Sequence, residues 1–169
     1  MNVLVVVESM FGNTRVIAEE IAVGLREVRP EGTVRVVPVT EPVPPLDAVS
    51  GLLVGGPTHA FSMSRTSTRE DAAHQGAEGQ TGRGLREWVT EAGKSASGFT
   101  GAIVTFDTRI PRFPGSAAAS AAKALRRAGF SRAERGESFW VSGKTGPLAD
   151  GELERAREWG RTLAATLAE

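Results

Sequence analysis

The sequence VLVVVESMFGNT, residues 3–14, contains the strongest structural signal of this chain. Its first five residues form an uninterrupted apolar run, which predicts a strand buried on both faces, as in a parallel sheet. A short polar loop follows, in which Ser9 and Thr14 offer hydroxyl groups and Gly12 lets the backbone approach a ligand closely. A helical pattern begins near Asn13, and a helix N-terminus presents unpaired N–H groups. The loop therefore predicts a site for an anion, with a single phosphate monoester as the best candidate.

Two loops of this sequence resemble those of a known family. Residues 9–14, SMFGNT, resemble the phosphate-binding loop of flavodoxins, whose pattern is Ser/Thr-x-Thr-Gly-x-Thr. Phe11 replaces the hydroxyl residue of the third position, which removes one expected phosphate contact. Residues 55–59, GGPTH, resemble the loop after the third strand that flanks the flavin ring in the same family. The resemblance extends from residue 1 to about residue 167 and implies a single domain over residues 1–169 that binds flavin mononucleotide (FMN).

The resemblance places the cofactor-binding residues in three loops. They are Ser9, Met10, Phe11, Gly12, Asn13 and Thr14 in the first loop, Pro57, Thr58, His59, Ala60 and Phe61 after the third strand, and Phe106, Asp107, Thr108 and Arg109 after the fourth. Flavodoxins often stack a Tyr from the last loop on the ring, but this chain contains no Tyr. Arg109 or Arg112 beside the ring would instead favour the anionic reduced flavin and raise its reduction potential. No catalytic side chain and no metal site are predicted.

Apolar runs alternate with helical patterns along the chain, which predicts an α/β protein with a parallel sheet. Together with the resemblance, this pattern predicts a flavodoxin-like, doubly wound five-stranded parallel sheet of order 2-1-3-4-5, with helices on both faces. In such a sheet the ligand lies at the switch point between strands one and three. Residues 9–14 and 57–61 are expected to meet there. The predicted strands are at residues 3–7, 34–39, 51–55, 102–106 and 138–141.

Several connections are less regular. Residues 41–49 contain three prolines and leave room for about one helical turn between two parallel strands. Residues 59–83 show no sustained periodicity, and their polar part is predicted to be a surface loop with a short helix beginning near Ser67. Ser116 and Asp150 are predicted N-caps of the last two helices.

Composition excludes several classes of protein. The 169 residues include 20 basic and 20 acidic side chains, so nothing argues for binding to nucleic acid or an anionic membrane. The absence of Cys excludes disulfides, thiolate metal sites and thiol catalysis. No signal-peptide pattern opens the sequence, and no apolar run is long enough to span a bilayer. We therefore predict a cytoplasmic protein.

Other nucleotide and catalytic motifs are incomplete. Residues 142–146, SGKTG, imitate the end of a Walker motif, but Ser138 replaces its first Gly and Pro147 interrupts the helix that should follow. Receiver domains need an acidic residue after the third strand, where this chain has residues 55–57, GGP. The first turn lacks the Gly-x-Gly-x-x-Gly of dinucleotide-binding folds. No strained nucleophile turn accompanies the two histidines.

The sequence thus predicts an FMN-binding electron-transfer protein that works with a redox partner protein, as a monomer or weak homodimer. One alternative is an FMN-dependent reductase of quinones or similar small acceptors, with residues 59–83 as the substrate wall. A second is an interaction module of the same fold that has lost FMN, which Phe11 and the missing Tyr would favour. Many flavodoxins are strongly acidic, whereas this chain has a formal net charge of zero.

Overall fold

Five parallel strands form one sheet in the computed structural model, which describes residues 1–79 and 81–167. The strands are β1 (Asn2–Val7), β2 (Thr33–Pro38), β3 (Gly51–Pro57), β4 (Ala102–Arg109) and β5 (Ala133–Trp140). Their order across the sheet is β2-β1-β3-β4-β5, and all four neighbouring pairs are parallel. Both features confirm the topology predicted from the sequence.

Helices cover both faces of this sheet, as predicted. They are α1 (Asn13–Val28), α2 (Thr66–His74), α3 (Leu85–Ala92), α4 (Ala117–Arg127) and α5 (Glu152–Thr166), with a short 3₁₀ helix at Gly93–Gly98. Apolar side chains of α1 and α5 pack with one face of the sheet, and those of α3 and α4 pack with the other. None of the described helices is both long and apolar enough to cross a membrane.

Two glycines bring α1 and α5 into close contact. A Cβ atom on Gly24 would lie 2.0 Å from the carbonyl oxygen of Arg157, and one on Gly160 would lie 2.2 Å from that of Ile21. Any side chain at either position would push the helices apart. This contact fixes α1 against α5 on one face of the sheet.

Strand β4 is longer than the sequence predicts. Residues 107–109, predicted as loop, continue the strand, because Thr108 pairs with Pro57 of β3 and Arg109 pairs with Trp140 of β5. Polar residues here indicated a loop, but Asp107 and Thr108 are buried and hydrogen-bonded. The predicted loop therefore begins only at residue 110.

Three other local predictions are settled by the structure. Residues 41–49 form no helix and contain a single turn, in which Val49 N–H donates to the Leu46 carbonyl at 3.0 Å. Ser116 is the N-cap of α4, as predicted, and its hydroxyl accepts from Ala119 N–H. The N-cap of α5 is Gly151 and not Asp150, since Gly151 adopts a left-handed conformation (φ 82°) directly before the helix.

Candidate functional site

The loop between β1 and α1 contains a row of backbone N–H groups that the described residues leave without acceptors. Across the described parts of the chain, the N–H groups of residues 10–14 have no hydrogen-bond acceptor. Gly12 is the N-cap of α1 in a left-handed conformation (φ 88°), and a Cβ atom there would meet no atom within 4 Å. The first turn of α1 contains no acidic residue. These features form a cradle open to an anion, because the helix dipole adds partial positive charge at the same place.

Side chains of the same loop are mostly engaged by the protein. The Ser9 hydroxyl accepts from Arg15 N–H at 3.3 Å, and the Asn13 amide donates to the Thr145 carbonyl at 3.2 Å. Thr14 is buried, and its hydroxyl lies 2.7 Å from that of Thr108. Met10 is also buried, and Phe11 is half-buried. The loop therefore offers an anion its backbone more than its hydroxyl groups.

Thr108 brings the three predicted segments together at one end of the sheet. Its hydroxyl pairs with Thr14 of the first segment, and its carbonyl accepts from Thr58 N–H at 2.9 Å. The Thr58 hydroxyl accepts in turn from Ala117 N–H at 2.9 Å, at the start of α4. The segments at residues 9–14, 57–61 and 106–109 thus meet at the switch point of the sheet.

Phe106 and Asp107 are placed differently from the sequence prediction. Both are fully buried, and the ring of Phe106 packs edge-on against Trp159 at 6.2 Å between centroids. Asp107 Oδ2 accepts from the Ser116 hydroxyl and, at 2.9 Å, from Ala118 N–H. Asp107 Oδ1 has no partner among the residues that the structure describes. Because these side chains lie below the surface, they support the loops and do not form a wall beside a ligand.

Two aromatic rings are exposed at this end of the sheet instead. Phe61 and Phe113 each retain 63% of their accessible surface. Their loops touch, because Ser116 N–H donates to the Phe61 carbonyl at 3.2 Å. The sequence analysis missed Phe113, although a Phe between Pro111 and Pro114 in a strand-end loop was a usable signal.

Arg109 holds the loop that carries Phe113. Its Nη2 donates to the Phe113 carbonyl at 2.9 Å, and its guanidinium lies 5.5 Å from the ring centroid of Trp140, a cation–π contact. Arg112 is exposed and has a positive φ of 67°. The influence of either arginine on a reduction potential stays a prediction.

His59 belongs to a tight turn after β3. Its N–H and carbonyl pair with those of Ser62 at 2.8 and 3.0 Å, while Ala60 and Phe61 between them adopt positive φ values of 43° and 72°. Burial lowers the pKa of the His59 imidazole, and the positive charge of Arg69 lowers it further. The imidazole is therefore neutral at pH 7. Pro57, which is half-buried, precedes this turn at the end of β3.

A buried polar network ties α2 and the start of α3 to Glu8, the residue after β1. Glu8 accepts from Leu85 N–H at 2.7 Å and from the Ser64 hydroxyl. Arg69, fully buried, donates to the Ser64 hydroxyl at 2.9 Å, to the Thr81 carbonyl at 2.7 Å and to Glu87 at 3.2 Å. The helix predicted near Ser67 is confirmed as α2, but the prediction of a polar surface loop is wrong for Ser64 and Arg69. A charge can be buried here because each nitrogen of Arg69 has an acceptor.

The pKa of Glu8 leads to a prediction about stability. Burial raises this pKa above its ordinary value of 4.5, although bonds from Ser64 and Leu85 and the charge of Arg69 oppose the shift. A raised pKa in the folded state means that the contribution of Glu8 to stability is complete below pH 4.5 and is lost as the pH rises through the folded-state pKa. Glu8→Gln keeps the neutral form at all pH values. We expect the free energy of unfolding of the wild type to fall relative to Glu8→Gln as the pH increases, in urea titrations at several pH values.

Glu87 provides the matched control. Burial acts to raise its pKa, but bonds from Gly84 N–H and Arg69 outweigh it, so the pKa lies below the ordinary value of 4.5. Its contribution is therefore present above pH 4.5 and is lost as the pH falls, which gives Glu87→Gln a dependence of opposite sign. Parallel pH dependences for the two variants would contradict the assignment.

Comparison with known proteins identifies the fold and not a close relative. No family model matches the sequence, and no curated protein sequence matches it either. Among solved structures, a flavodoxin from the domain Archaea is 18% identical, each chain covering all of the other, with a TM-score of 0.66. The two-electron reduced flavodoxin of Megasphaera elsdenii is 16% identical over 96% of this chain and 98% of its own, with a TM-score of 0.63. A flavone reductase is 15% identical over all of this chain and 64% of its own, with a TM-score of 0.62.

The chain has a flavodoxin-like fold. A cleft of about 860 Å³ lies beside the first loop, between the end of β2 and residues 76, 78, 79 and 83. Its lining includes Arg15 and Arg83 together with four carboxylates, those of Glu8, Glu19, Glu41 and Glu78. Gly79 N–H donates to the Met10 carbonyl at 3.2 Å, so residues 76–79 cover one side of the first loop.

Proposed function

We propose that this chain binds FMN non-covalently and passes electrons to or from another protein. The observation that carries the proposal is the row of N–H groups of residues 10–14 without acceptors, at the N-terminus of α1 and above the open side of Gly12. Such a cradle suits a doubly charged phosphate group, because each N–H can donate to one of its oxygens. The fold gives the proposal its second support. In a flavodoxin-like sheet the ligand lies at the switch point, and the loop of residues 9–14 is located there.

The flavin ring is assigned to the space between the two exposed phenylalanines. Phe61 and Phe113 lie in neighbouring loops at the switch point, and both rings are accessible. Aromatic rings favour flat, apolar partners, and burying each ring against one removes apolar surface from water. The turn at residues 59–62 and the bond from Arg109 to the Phe113 carbonyl hold the backbone that carries the two rings.

FMN, when bound, supplies the reversible uptake of electrons, and the chain supplies binding, orientation and charge. Residues 10–14 anchor the phosphate, and Phe61 and Phe113 position the ring. The neutral imidazole of His59 adds no charge to this region at pH 7. We assign no side chain as a general acid or base.

The second candidate function is reduction of a small acceptor such as a quinone. It is favoured by the exposure of Phe61 and Phe113, which present apolar surface that a small, flat acceptor could cover. In this case residues 59–83 would form the substrate wall, as the sequence analysis predicts.

Two measurements on the purified protein separate the candidates. Yellow colour with flavin absorbance, or its appearance on adding FMN, is expected for both the carrier and the reductase, whereas a module that has lost FMN stays colourless. Steady consumption of NADPH or NADH in the presence of a quinone would favour the reductase. For a carrier we expect turnover only when a reductase or acceptor protein is added.

A further inference from the structure

A basic groove lies between α3 and α4, on the face of the sheet opposite α1 and α5. Its volume is about 780 Å³, and its floor contains Met63, Val89 and Ala124. No carboxylate lines it. Its cationic residues are Arg65, Arg86, Lys94, Lys123 and Arg127. We refer to it below as the basic groove.

The cations of the basic groove have no carboxylate partners. None of the five forms a salt bridge with any residue that the structure describes. Other arginines of the chain are paired with carboxylates, as in the bonds from Arg157 to Glu20 at 2.8 Å and from Arg161 to Glu27 at 2.7 Å. The chain has a formal net charge of zero, but the lining of the basic groove carries five cations and no carboxylate.

The basic groove combines one cation that is held by hydrogen bonds with several that are exposed. Arg86 is half-buried, and its nitrogens donate to the Ser64 carbonyl at 2.9 Å, to the Ser62 hydroxyl at 3.0 Å and to the Met63 carbonyl at 3.1 Å. Lys123 and Arg127 are exposed and lie one turn apart on α4. Long, exposed cations along an open groove interact with an extended charged surface more readily than with one small group.

One end of the basic groove reaches the proposed flavin site. Ser62 lines the groove and follows Phe61 directly in sequence. Its hydroxyl donates to that of Ser120 on α4 at 2.9 Å, which joins the turn at residues 59–62 to the groove wall. A protein bound along the groove would therefore lie beside the exposed ring of Phe61.

We propose that the basic groove docks the acidic surface of the redox partner protein. The proposal rests on the proposed function, because it assigns the partner of the electron-transfer site. Complementary charge accelerates association and sets the orientation of the two proteins, and open contacts of this kind dissociate quickly. A carrier needs both properties. A basic groove beside the flavin site thus predicts a partner protein with an acidic surface.

A charge-reversal experiment tests the groove. The variant is Lys123→Glu with Arg127→Glu, and the control is Arg29→Glu with Arg35→Glu, which changes the net charge equally. Arg29 is the C-cap of α1 and Arg127 the last residue of α4, so both pairs place one acid at a helix C-terminus. Arg29 and Arg35 are exposed and lie outside the groove. Lys123→Gln with Arg127→Gln provides a milder variant if the reversal prevents folding, which circular dichroism would show.

The probes are a strongly acidic [2Fe–2S] ferredoxin and, for contrast, the basic protein cytochrome c. Dissociation constants are measured by calorimetry at about 10 mM and about 150 mM ionic strength, where the Debye length is about 30 Å and about 8 Å. We expect the wild type to bind ferredoxin more tightly at the lower ionic strength and to bind it better than cytochrome c. The groove variant should bind ferredoxin about tenfold more weakly or worse, and the control should be nearly unchanged.

Three outcomes would overturn the proposal. The first is that the wild type does not bind ferredoxin at low ionic strength. The second is that the groove variant and the control lose the same affinity for ferredoxin. The third is that NADPH binds at Lys123 and Arg127 and displaces ferredoxin. The last result would make the groove a pocket for a phosphorylated ligand. Binding is measured without a flavin signal, and FMN content is read separately from the absorbance spectrum. Failure of the FMN assignment is therefore distinguishable from failure of the groove.

Discussion

Gly12→Ala is expected to lower the affinity for FMN about 100-fold or more, which is about 2.7 kcal/mol. Gly12 adopts a φ of 88°, and an alanine in the left-handed region costs about 1–2 kcal/mol. Its Cβ would also project into the open space above the loop, where the proposal places the phosphate. Both the strain and the added Cβ atom lower the affinity for FMN. The Cβ atom occupies space of the phosphate, and a loop that moves to relieve the strain no longer directs the N–H groups of residues 10–14 at it. The measurement is a titration of apoprotein with FMN followed by absorbance or calorimetry.

Gly151→Ala is the control for Gly12→Ala. It introduces the same kind of backbone strain without changing the proposed phosphate site. Gly151 is the N-cap of α5 and has a φ of 82°, and a Cβ atom there, as at Gly12, would meet no atom within 4 Å. Both variants should lower the free energy of unfolding by about 1–2 kcal/mol. Only Gly12→Ala should weaken FMN binding. Equal FMN affinity in the two variants would remove the loop from the proposed site.

Replacing both exposed phenylalanines is expected to have a similarly large effect on FMN binding. Phe61→Ala with Phe113→Ala should weaken binding about 100-fold or more. Each ring loses apolar area covered by the flavin and a stacking contribution of about 0.5–1.5 kcal/mol. Because both rings are largely exposed without ligand, the free energy of unfolding of the apoprotein should change by no more than about 0.5 kcal/mol.

Two controls define the cause of this loss. Leu153→Ala removes an exposed apolar side chain on α5, outside the three segments proposed to bind FMN, and should leave FMN binding unchanged. Phe113→Trp keeps an aromatic surface and should retain most of the affinity. A double alanine variant that bound FMN as tightly as the wild type would contradict the assignment of these rings.

The sequence is most informative where local pattern and tertiary role agree. The buried run at residues 3–7 and the glycine loop after it predict β1, the start of α1 and the cradle, because each depends on nearby residues alone. The sheet order also follows from the pattern and the resemblance. Ser116 is predictable as an N-cap because its hydroxyl bonds three residues along the chain.

The sequence is misleading where polar residues are buried by distant partners. Asp107 resembles a loop residue, but its carboxylate accepts from Ser116 and Ala118, so it can continue a strand. Arg69 resembles a surface residue, but acceptors from three separate segments surround it. Neither set of partners is visible in a local pattern. Phe113 was missed because the Tyr expected in this family lies in the loop that aligns with residues 106–109.

The cradle at residues 10–14 is the feature on which the FMN proposal depends, because it is assigned to the phosphate. The decisive measurement is a titration of the apoprotein with FMN and with riboflavin, which lacks the phosphate. A phosphate held by several N–H groups predicts that FMN binds at least about 100-fold more tightly than riboflavin, since each bond to a charged group contributes about 1.5–3 kcal/mol. Equal affinities for the two flavins, or binding of neither, would show that the cradle does not anchor FMN.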